Sequence, residues 1–281
     1  MRTKSRLTIT LPPDLVERLD RMIDRQTVRN RSHAIELLIR QGLMPEVTTA
    51  IVLAGGEHEG IGSPALAPVG GQALILLTLR HLVGYGIRNV LRLAGRSEPE
   101  IREVLGSGQG LGVTIQYLEE ERPLGTAGAL KSAESHLPDS PVLVVHGDVL
   151  TDIDISELIS FHLSEGCLAT MAVKPRNAEK DCGQVMLQGN RITDFYDNGK
   201  EQGISIVNTG LYVLQPEVFG MIEEGKESRL ETDVFPILAR MGELSAFFFQ
   251  GIWFDIRNEE NYQRAKARWQ QKGVFRHARE A

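Results

Sequence analysis

The chain is poor in cysteine and in aromatic residues, and it has only one long stretch without charge. Its two cysteines, Cys167 and Cys182, are too few for a disulfide framework and lack zinc-site spacing, so we expect a reducing, cytoplasmic location. The uncharged stretch, residues 60–79, is broken by glycines and prolines, which indicates a loop entering a helix rather than a membrane span. The first residues alternate charged and apolar, which predicts no leader peptide. We therefore expect no membrane partner.

Charge is distributed unevenly along the 281 residues. The whole chain carries a net charge of −6, but residues 1–46 contain nine basic and six acidic residues, a net +3. A basic segment of this kind can bind a polyanion. The length and the 42% hydrophobic residues suggest one large domain, or one ordinary domain plus a small module. The change of charge and a short connection at 45–49 predict a small module at 1–45, a large domain at 48–272 and a basic tail at 273–281.

The N-terminal segment has the pattern of one strand and two short helices. Residues 6–11 alternate polar and apolar as in a strand with one polar face, and the Pro12-Pro13 pair ends it. A first helix carries a stripe of Leu15, Leu19, Met22 and Ile23, and Asn30 is a suitable N-cap for a second helix. So small a unit cannot bury a core alone, and we expect it to dimerise.

This segment resembles the ribbon-helix-helix family of DNA-binding proteins. The resemblance implies that strands from two chains pair into an antiparallel ribbon that enters the major groove of double-stranded DNA. Arg6, Thr8 and Thr10 would then face base edges, and the backbone amides around Arg31 and Ser32 would clamp a phosphate. The protein would be a homodimer through this module, with the pairing of dimers into tetramers left open. Two alternatives remain: a merely solvated polar strand face, and a module that only dimerises.

The large domain alternates apolar runs with helical patterns. Runs at 50–54, 89–93, 113–117 and 142–145 are typical of buried parallel strands, and helical patterns lie at 74–85, 98–105 and 127–136. This alternation predicts an α/β fold, an open and mostly parallel, Rossmann-like sheet with helices on both faces. Ligands of such sheets bind beyond the carboxyl ends of the strands.

Five motifs in this domain resemble those of the sugar-1-phosphate nucleotidyltransferases. They are Leu53-Ala54-Gly55-Gly56, Leu124 to Leu130, His146-Gly147-Asp148, Asn208 to Tyr212, and Trp253 to Ile256. The resemblance implies that a nucleotide is bound by Leu53, Ala54, Gly55, Gly56, Gly125 and Thr126, and that Asn208 contacts a sugar. It also implies Mg²⁺ held by Asp148 and Asp255 when a nucleotide is bound. The alternatives are a turn-capping role for Asp148 and an ion pair with Arg257 for Asp255.

The chain departs from the family in the loop that supplies cations to the phosphates. The family's loop reads Gly-x-Gly-Thr-Arg-Leu, and here Gly60 stands at the arginine position. Pro64 and Gln72 stand at two positions where the family has lysine, while Glu57 and Glu59 add negative charge. Loss of such preorganised cations predicts little transfer activity, and the catalytic residues stay unknown.

Two functions therefore compete. The first is a DNA-binding transcriptional regulator whose nucleotidyltransferase-like domain binds a nucleotide or nucleotide sugar as effector and is catalytically impaired. The alternative is an active nucleotidyltransferase that makes an NDP-sugar from an NTP and a sugar-1-phosphate, with the N-terminal module used for dimerisation or autoregulation. A third, purely structural role would bind neither DNA nor a small ligand.

Overall fold

A computed structural model describes residues 8–23, 28–35, 38, 47–54, 61–94, 98–119, 122–177, 183–196 and 203–277. The chain divides into two compact units, the N-terminal unit (Met1–Pro45) and the large unit (Glu46–Ala281).

The N-terminal unit contains two described helices, α1 (Pro13–Arg21) and α2 (31–35). Pro13 begins α1, where its fixed φ suits the first helical turn. Asn30 caps α2 as predicted, because its Oδ1 accepts a hydrogen bond of 2.9 Å from the His33 amide. Residues 8–12, within the predicted strand and its end, form no regular element, since none of the described strands pairs with them.

Apolar side chains of the N-terminal unit are only partly covered. Leu19 is 6% exposed, but Leu15 and Met22 of the same predicted stripe are each 38% exposed, and Ile9 is 45% exposed. More than a third of the surface of Leu15 and Met22 is therefore left exposed in this unit.

The large unit has a nine-stranded sheet and two small two-stranded sheets. Its strands are β1 (Thr49–Leu53), β2 (Pro68–Val69), β3 (Gln72–Ala73), β4 (Asn89–Ala94), β5 (Thr114–Glu119), β6 (Val142–His146), β7 (Val149–Thr151), β8 (Ala169–Asn177), β9 (Gln184–Gln188), β10 (Arg191–Tyr196), β11 (Ile204–Leu214), β12 (Leu244–Phe248) and β13 (Trp253–Asp255). Its helices are α3 (Leu74–Gly84), α4 (Glu98–Leu105), α5 (Gly125–Ala133), α6 (Ile155–Glu165), α7 (Phe235–Met241) and α8 (Glu259–His277).

The main sheet is mixed, which corrects the expectation of a mostly parallel sheet. Its order is β5-β4-β1-β6-β11-β8-β12-β10-β9. The predicted strands β5, β4, β1 and β6 are parallel, but β11 runs antiparallel to both β6 and β8, and β10 runs antiparallel to β12 and β9. The second half of the chain adds these strands through direct antiparallel pairing, which requires no intervening helix.

Helices cover both faces of the sheet, as the α/β prediction requires. Along β1, Ala50 and Val52 pack into a core with α3, α4 and α6, while Ile51 packs into a second core with α5 and α7. Alternate side chains of one strand are thus buried on opposite faces.

The carboxyl end of the sheet is drawn together by a close approach of β1 and β6. The Gly147 amide donates to the Leu53 carbonyl at 2.7 Å, and a Cβ on Gly147 would lie 2.5 Å from the Cβ of Ala54. Only glycine fits there, so the turn after β6 is held against the end of β1.

The C-terminal helix extends into the segment predicted as a tail. α8 continues through His277, so five residues of the expected tail are helical, and 278–281 lie outside the described residues. Within the described part of the chain, no helix is both long and apolar enough to cross a membrane.

Candidate functional site

A cavity of about 350 Å³, called the central cavity below, lies where the predicted motifs meet. Five of the residues predicted from the motifs line it: Gly125, Thr126, Asp148, Asn208 and Asp255. The remaining lining residues are His146, Val149, Gly183, Thr209, Gly210, Arg229, Glu231 and Arg257. The structure therefore brings together motifs that are more than 100 residues apart in the chain.

Two acidic residues, Asp148 and Asp255, are brought close together by the small β7–β13 sheet. Asp255 pairs with Val149 in that sheet, and the Ile256 amide donates to the Asp148 carbonyl at 2.9 Å. Burial, and next the negative charge of Asp255, raise the pKa of Asp148, while His146 and Arg257 act in the opposite direction. The acid pair thus carries unfavourable negative charge that a cation would relieve.

An arginine of the chain already occupies part of this acid pair. Both Nε and NH2 of Arg257 contact Oδ2 of Asp255, whose side chain is 6% exposed. Asp255 Oδ1 is buried and has no hydrogen-bond partner among the described residues. In the described part of the chain, no group of three His, Cys, Asp or Glu side chains could hold a metal ion. The two predicted Mg²⁺ ligands are adjacent, but with Arg257 on one of them they do not fit an open divalent-cation site.

Asn208 is held by a bulge in β11. The pairing of β11 with β8 shifts register between Asn208 and Tyr212, and Gly210 inside the bulge has φ +75°. The Asn208 amide nitrogen donates to the Tyr212 hydroxyl at 2.7 Å, and its oxygen accepts from the Gly210 amide at 2.9 Å. Asn208 therefore lines the cavity in a fixed orientation, with capacity for one further donor and one further acceptor contact.

The N-terminus of α5 is covered by the segment before α7. The amides of Ala127 and Gly128 donate to the Ser228 carbonyl at 3.0 and 3.2 Å, and a Cβ on Gly125 would lie 2.4 Å from that carbonyl oxygen. The Thr126 hydroxyl donates to Glu231 at 2.8 Å and accepts from the Leu230 amide at 2.8 Å. These helix-terminal amides thus bind protein groups, and the exposed part of Thr126 is what a ligand could contact.

The other predicted nucleotide contacts lie apart from this cavity or outside the described residues. Leu53 ends β1 and Ala54 follows it, and neither is among the lining residues. The Ala54 carbonyl accepts a hydrogen bond from Arg92 at 3.3 Å. Burial lowers the pKa of Arg92 to about 10. Gly55 and Gly56, like residues 57–60 of the departing loop, fall outside the described residues.

The two positions where the family has lysine are described. Pro64 is buried in a short 3₁₀ turn, Pro64–Leu66, and Gln72 accepts a hydrogen bond from Arg80. Neither position carries a cation itself.

Four charged or ionisable lining residues were not predicted as site residues: His146, Arg229, Glu231 and Arg257. His146 stands within a recognised motif, and its Nε2 is buried without a partner among the described residues. Arg229 and Glu231 belong to none of the five motifs, and only the fold brings them to the cavity. The sequence indicates Arg257 only as an ion-pair partner of Asp255, a contact that is present.

A second cavity, of about 550 Å³, contains none of the predicted residues. It is basic, with Lys174 and Arg176 from β8 and Arg264 and Arg268 from α8 opposite the single acid Asp152. It is the alternative location for an anionic ligand, and experiments on ligand binding need variants in both cavities.

The predicted DNA contacts of the N-terminal unit are exposed where they are described. Thr8, Thr10 and Ser32 are exposed, and Arg6 lies outside the described residues. Arg31 donates two hydrogen bonds to Asp20, at 2.6 and 2.7 Å, which lower the pKa of Asp20. The Arg31 guanidinium is thus engaged within the chain, while Ser32 lies in the first turn of α2.

Comparisons with known proteins match both parts of the chain. The nucleotidyl transferase family matches residues 49–272, and the ribbon-helix-helix protein, copG family, matches residues 5–43. A mannose-1-phosphate guanyltransferase of Debaryomyces hansenii is 32% identical over 203 residues, covering 70% of this chain and 56% of the relative. The mannose-1-phosphate guanylyltransferase of Mycobacterium tuberculosis is 28% identical over 228 residues, covering 78% and 63%. The chain thus spans less than two thirds of the length of these relatives.

Solved structures share the fold of the large unit. A Bacillus anthracis chain described as a glucose-1-phosphate thymidylyltransferase superposes with a TM-score of 0.70 at 24% identity, covering 78% of this chain and 94% of that one. HddC from Yersinia pseudotuberculosis, in complex with GMP-PN, gives a TM-score of 0.69 at 20% identity, covering 79% and 99%. At these identities the likeness establishes the fold.

Proposed function

Since the chain belongs to the nucleotidyl transferase family and carries a ribbon-helix-helix domain, we propose that it is a transcriptional regulator whose large unit senses a nucleotide or nucleotide sugar. Both resemblances predicted from the motifs are thus confirmed. In the proposal, the N-terminal unit binds DNA as a dimer, and the large unit binds its ligand without efficient transfer.

The observation that carries the proposal is the composition of the central cavity. It contains residues suited to hold a ligand, including Gly125, Thr126 and Asn208, but one member of the acid pair, Asp255, is already bound by Arg257. The positions where the family has lysine hold Pro64 and Gln72. Phosphoryl transfer depends on cations preorganised against the developing charge, and loss of one such group costs about 10²-fold or more in rate.

The ligand proposed first is a guanine nucleotide or its sugar conjugate. Relatives named as mannose-1-phosphate guanylyltransferases cover most of the large unit, and a structure of the same fold is a complex with GMP-PN. The cavity offers two arginines to the phosphate groups of such a ligand, while its fixed polar groups and three carboxylates can accept hydrogen bonds from sugar hydroxyls and base amines.

Sensing requires that the ligand bind the DNA-competent and DNA-incompetent forms with different affinity. An operator would be selected from random DNA with the full chain, and its affinity then measured by fluorescence anisotropy with GDP, GTP, GDP-mannose, UDP-glucose and dTDP-glucose. We expect at least one ligand to change operator affinity about fivefold or more. Asn208→Ala should reduce that response, whereas Arg264→Ala with Arg268→Ala should preserve it. Unchanged affinity with every ligand would remove the sensor role, and the reverse pattern of variants would move the ligand to the basic cavity.

Active transfer is the competing function, favoured by the identity to named guanylyltransferases. A coupled pyrophosphate-release assay with four NTPs and several sugar-1-phosphates tests it. Turnover at the rate of an ordinary enzyme, about 1 s⁻¹ or faster, that is abolished by Asp148→Asn would replace our proposal.

A further inference from the structure

Resting on the proposed function, we propose that Arg257 takes the place of a divalent cation, so that the central cavity binds the phosphate groups of its ligand without metal. The inference concerns the same cavity, but it adds a property that a ligand-sensing role does not require.

Arg257 lies at the carboxylates predicted to hold Mg²⁺. Arg257 lies two residues after Asp255, the last residue of β13, and reaches back to it, so the guanidinium lies at one of the two carboxylates predicted to hold Mg²⁺. Its side chain is 44% exposed and lines the cavity. The ion pair is therefore accessible from the cavity rather than sealed in the core.

Arg257 also changes the net charge of the cavity lining. Asp148 and Asp255 alone would give −2, which favours a divalent cation, but Arg257 reduces the local charge to −1 and repels any second cation at Asp255. Of the other lining residues, Glu231 accepts a hydrogen bond from the Thr126 hydroxyl, and Arg229 adds another positive charge. With two arginines and three carboxylates, the lining is no longer the strongly acidic pocket that a hard cation needs.

The guanidinium group of Arg257 is chemically suited to bind phosphate. A guanidinium presents N–H donors in a planar fork that matches phosphate oxygens, and it stays charged at every physiological pH. A divalent cation held by the acid pair would supply Lewis-acid polarisation of a phosphoryl oxygen, whereas the guanidinium of Arg257 supplies hydrogen bonds and one positive charge. Arg257 thus supports tight binding of a phosphorylated ligand more readily than its turnover.

The test is calorimetric titration of the full chain with GDP-mannose, once with EDTA and once with MgCl₂. For the natural chain we expect the two dissociation constants to agree within about twofold. Arg257→Gly should weaken binding in EDTA by about tenfold or more, and MgCl₂ should restore most of the loss. Arg240→Ala, which removes an exposed arginine of α7 outside both cavities, serves as the matched control and should behave like the natural chain.

Two results would overturn the inference while leaving ligand sensing intact: binding by the natural chain that needs MgCl₂, or equal binding of Arg257→Gly and the natural chain in EDTA. The comparison of buffers uses the natural chain alone, so it stands even if the variant fails to fold. If the natural chain binds none of the nucleotides and nucleotide sugars in either buffer, the proposed function falls and this inference with it.

Discussion

At the scale of single residues, His162 gives the large unit a defined sensitivity to acid. The ring is buried; Gln215 donates to its Nε2 at 3.0 Å, so the neutral ring donates from Nδ1 to Thr170 at 2.9 Å. Burial lowers the pKa of His162 from 6.5 to about 4. The unfolded chain therefore takes up this proton at a higher pH than the folded chain does.

We expect His162 to lower the free energy of unfolding by about 3 kcal/mol as the pH falls from 6.5 to 4. Above pH 6.5 the ring is neutral in both the folded and the unfolded chain, so it costs no stability there. Thermal unfolding across this range checks the expectation. His162→Gln keeps a polar side chain but cannot titrate, and it should flatten this part of the profile. Parallel profiles for the two proteins would assign the acid sensitivity to other groups.

At the scale of elements, the contact between the ends of β1 and β6 sets the shape of the cavity. Gly147→Ala would force its Cβ against Ala54, and we expect a loss of about 1 to 3 kcal/mol of stability. Ligand affinity should fall as well, because Asp148 is the next residue.

Gly84→Ala is the matched control for Gly147→Ala. Gly84 ends α3, and a Cβ there would meet no atom within 4 Å. We expect its stability to be unchanged or raised by about 0.5 kcal/mol. Chemical denaturation measures the free energy of unfolding of both variants. An equal loss of stability in the two would contradict the steric explanation.

The link between α1 and α2 affects the other proposed activity. Asp20→Asn should release the Arg31 guanidinium of each chain for a DNA phosphate, tightening DNA binding roughly threefold or more and steepening the salt dependence of the dimer by about two units, one for each chain. Glu17→Gln makes the same charge change on α1 but disrupts only an exposed pair with Arg21 at 3.9 Å. Equal effects of the two variants in anisotropy titrations at several salt concentrations would reduce the effect to net charge.

Elements were predicted unevenly from the sequence, and the reason is physical. β1, β4, β5 and β6 are continuous apolar runs because parallel strands are buried on both faces. Glu231 lies in a π-helical segment and Arg229 is the residue before that segment. No periodic pattern in the sequence indicates that these two side chains line the cavity. The mixed sheet was missed because antiparallel pairing between distant strands leaves no local signal.

Asp148, Asp255 and Asn208 were located by their motifs, yet what those side chains contact depends on the fold. The bulge that fixes Asn208 and the ion pair on Asp255 are tertiary features. The motifs thus predict residues that line one cavity, and the structure supplies the contacts of their side chains.

At the scale of the whole molecule, the exposed apolar side chains of the N-terminal unit predict self-association. We expect a dimer of the natural chain by light scattering, and a monomer for Leu15→Asp, because a charge on the apolar stripe opposes its burial. Met241→Asp is the control, since Met241 is 56% exposed in the large unit and should leave the mass unchanged. A dimer that persists in Leu15→Asp would locate the interface elsewhere.

The position of α8 joins the two cavities of the large unit. The helix begins two residues after Arg257 and continues for 19 residues, roughly 28 Å. Its residues Tyr262 and Ala265 are buried in an apolar cluster with Val69 and Leu74, which fixes the helix against the domain. One helix thus follows Arg257 of the central cavity and supplies Arg264 and Arg268 to the basic cavity.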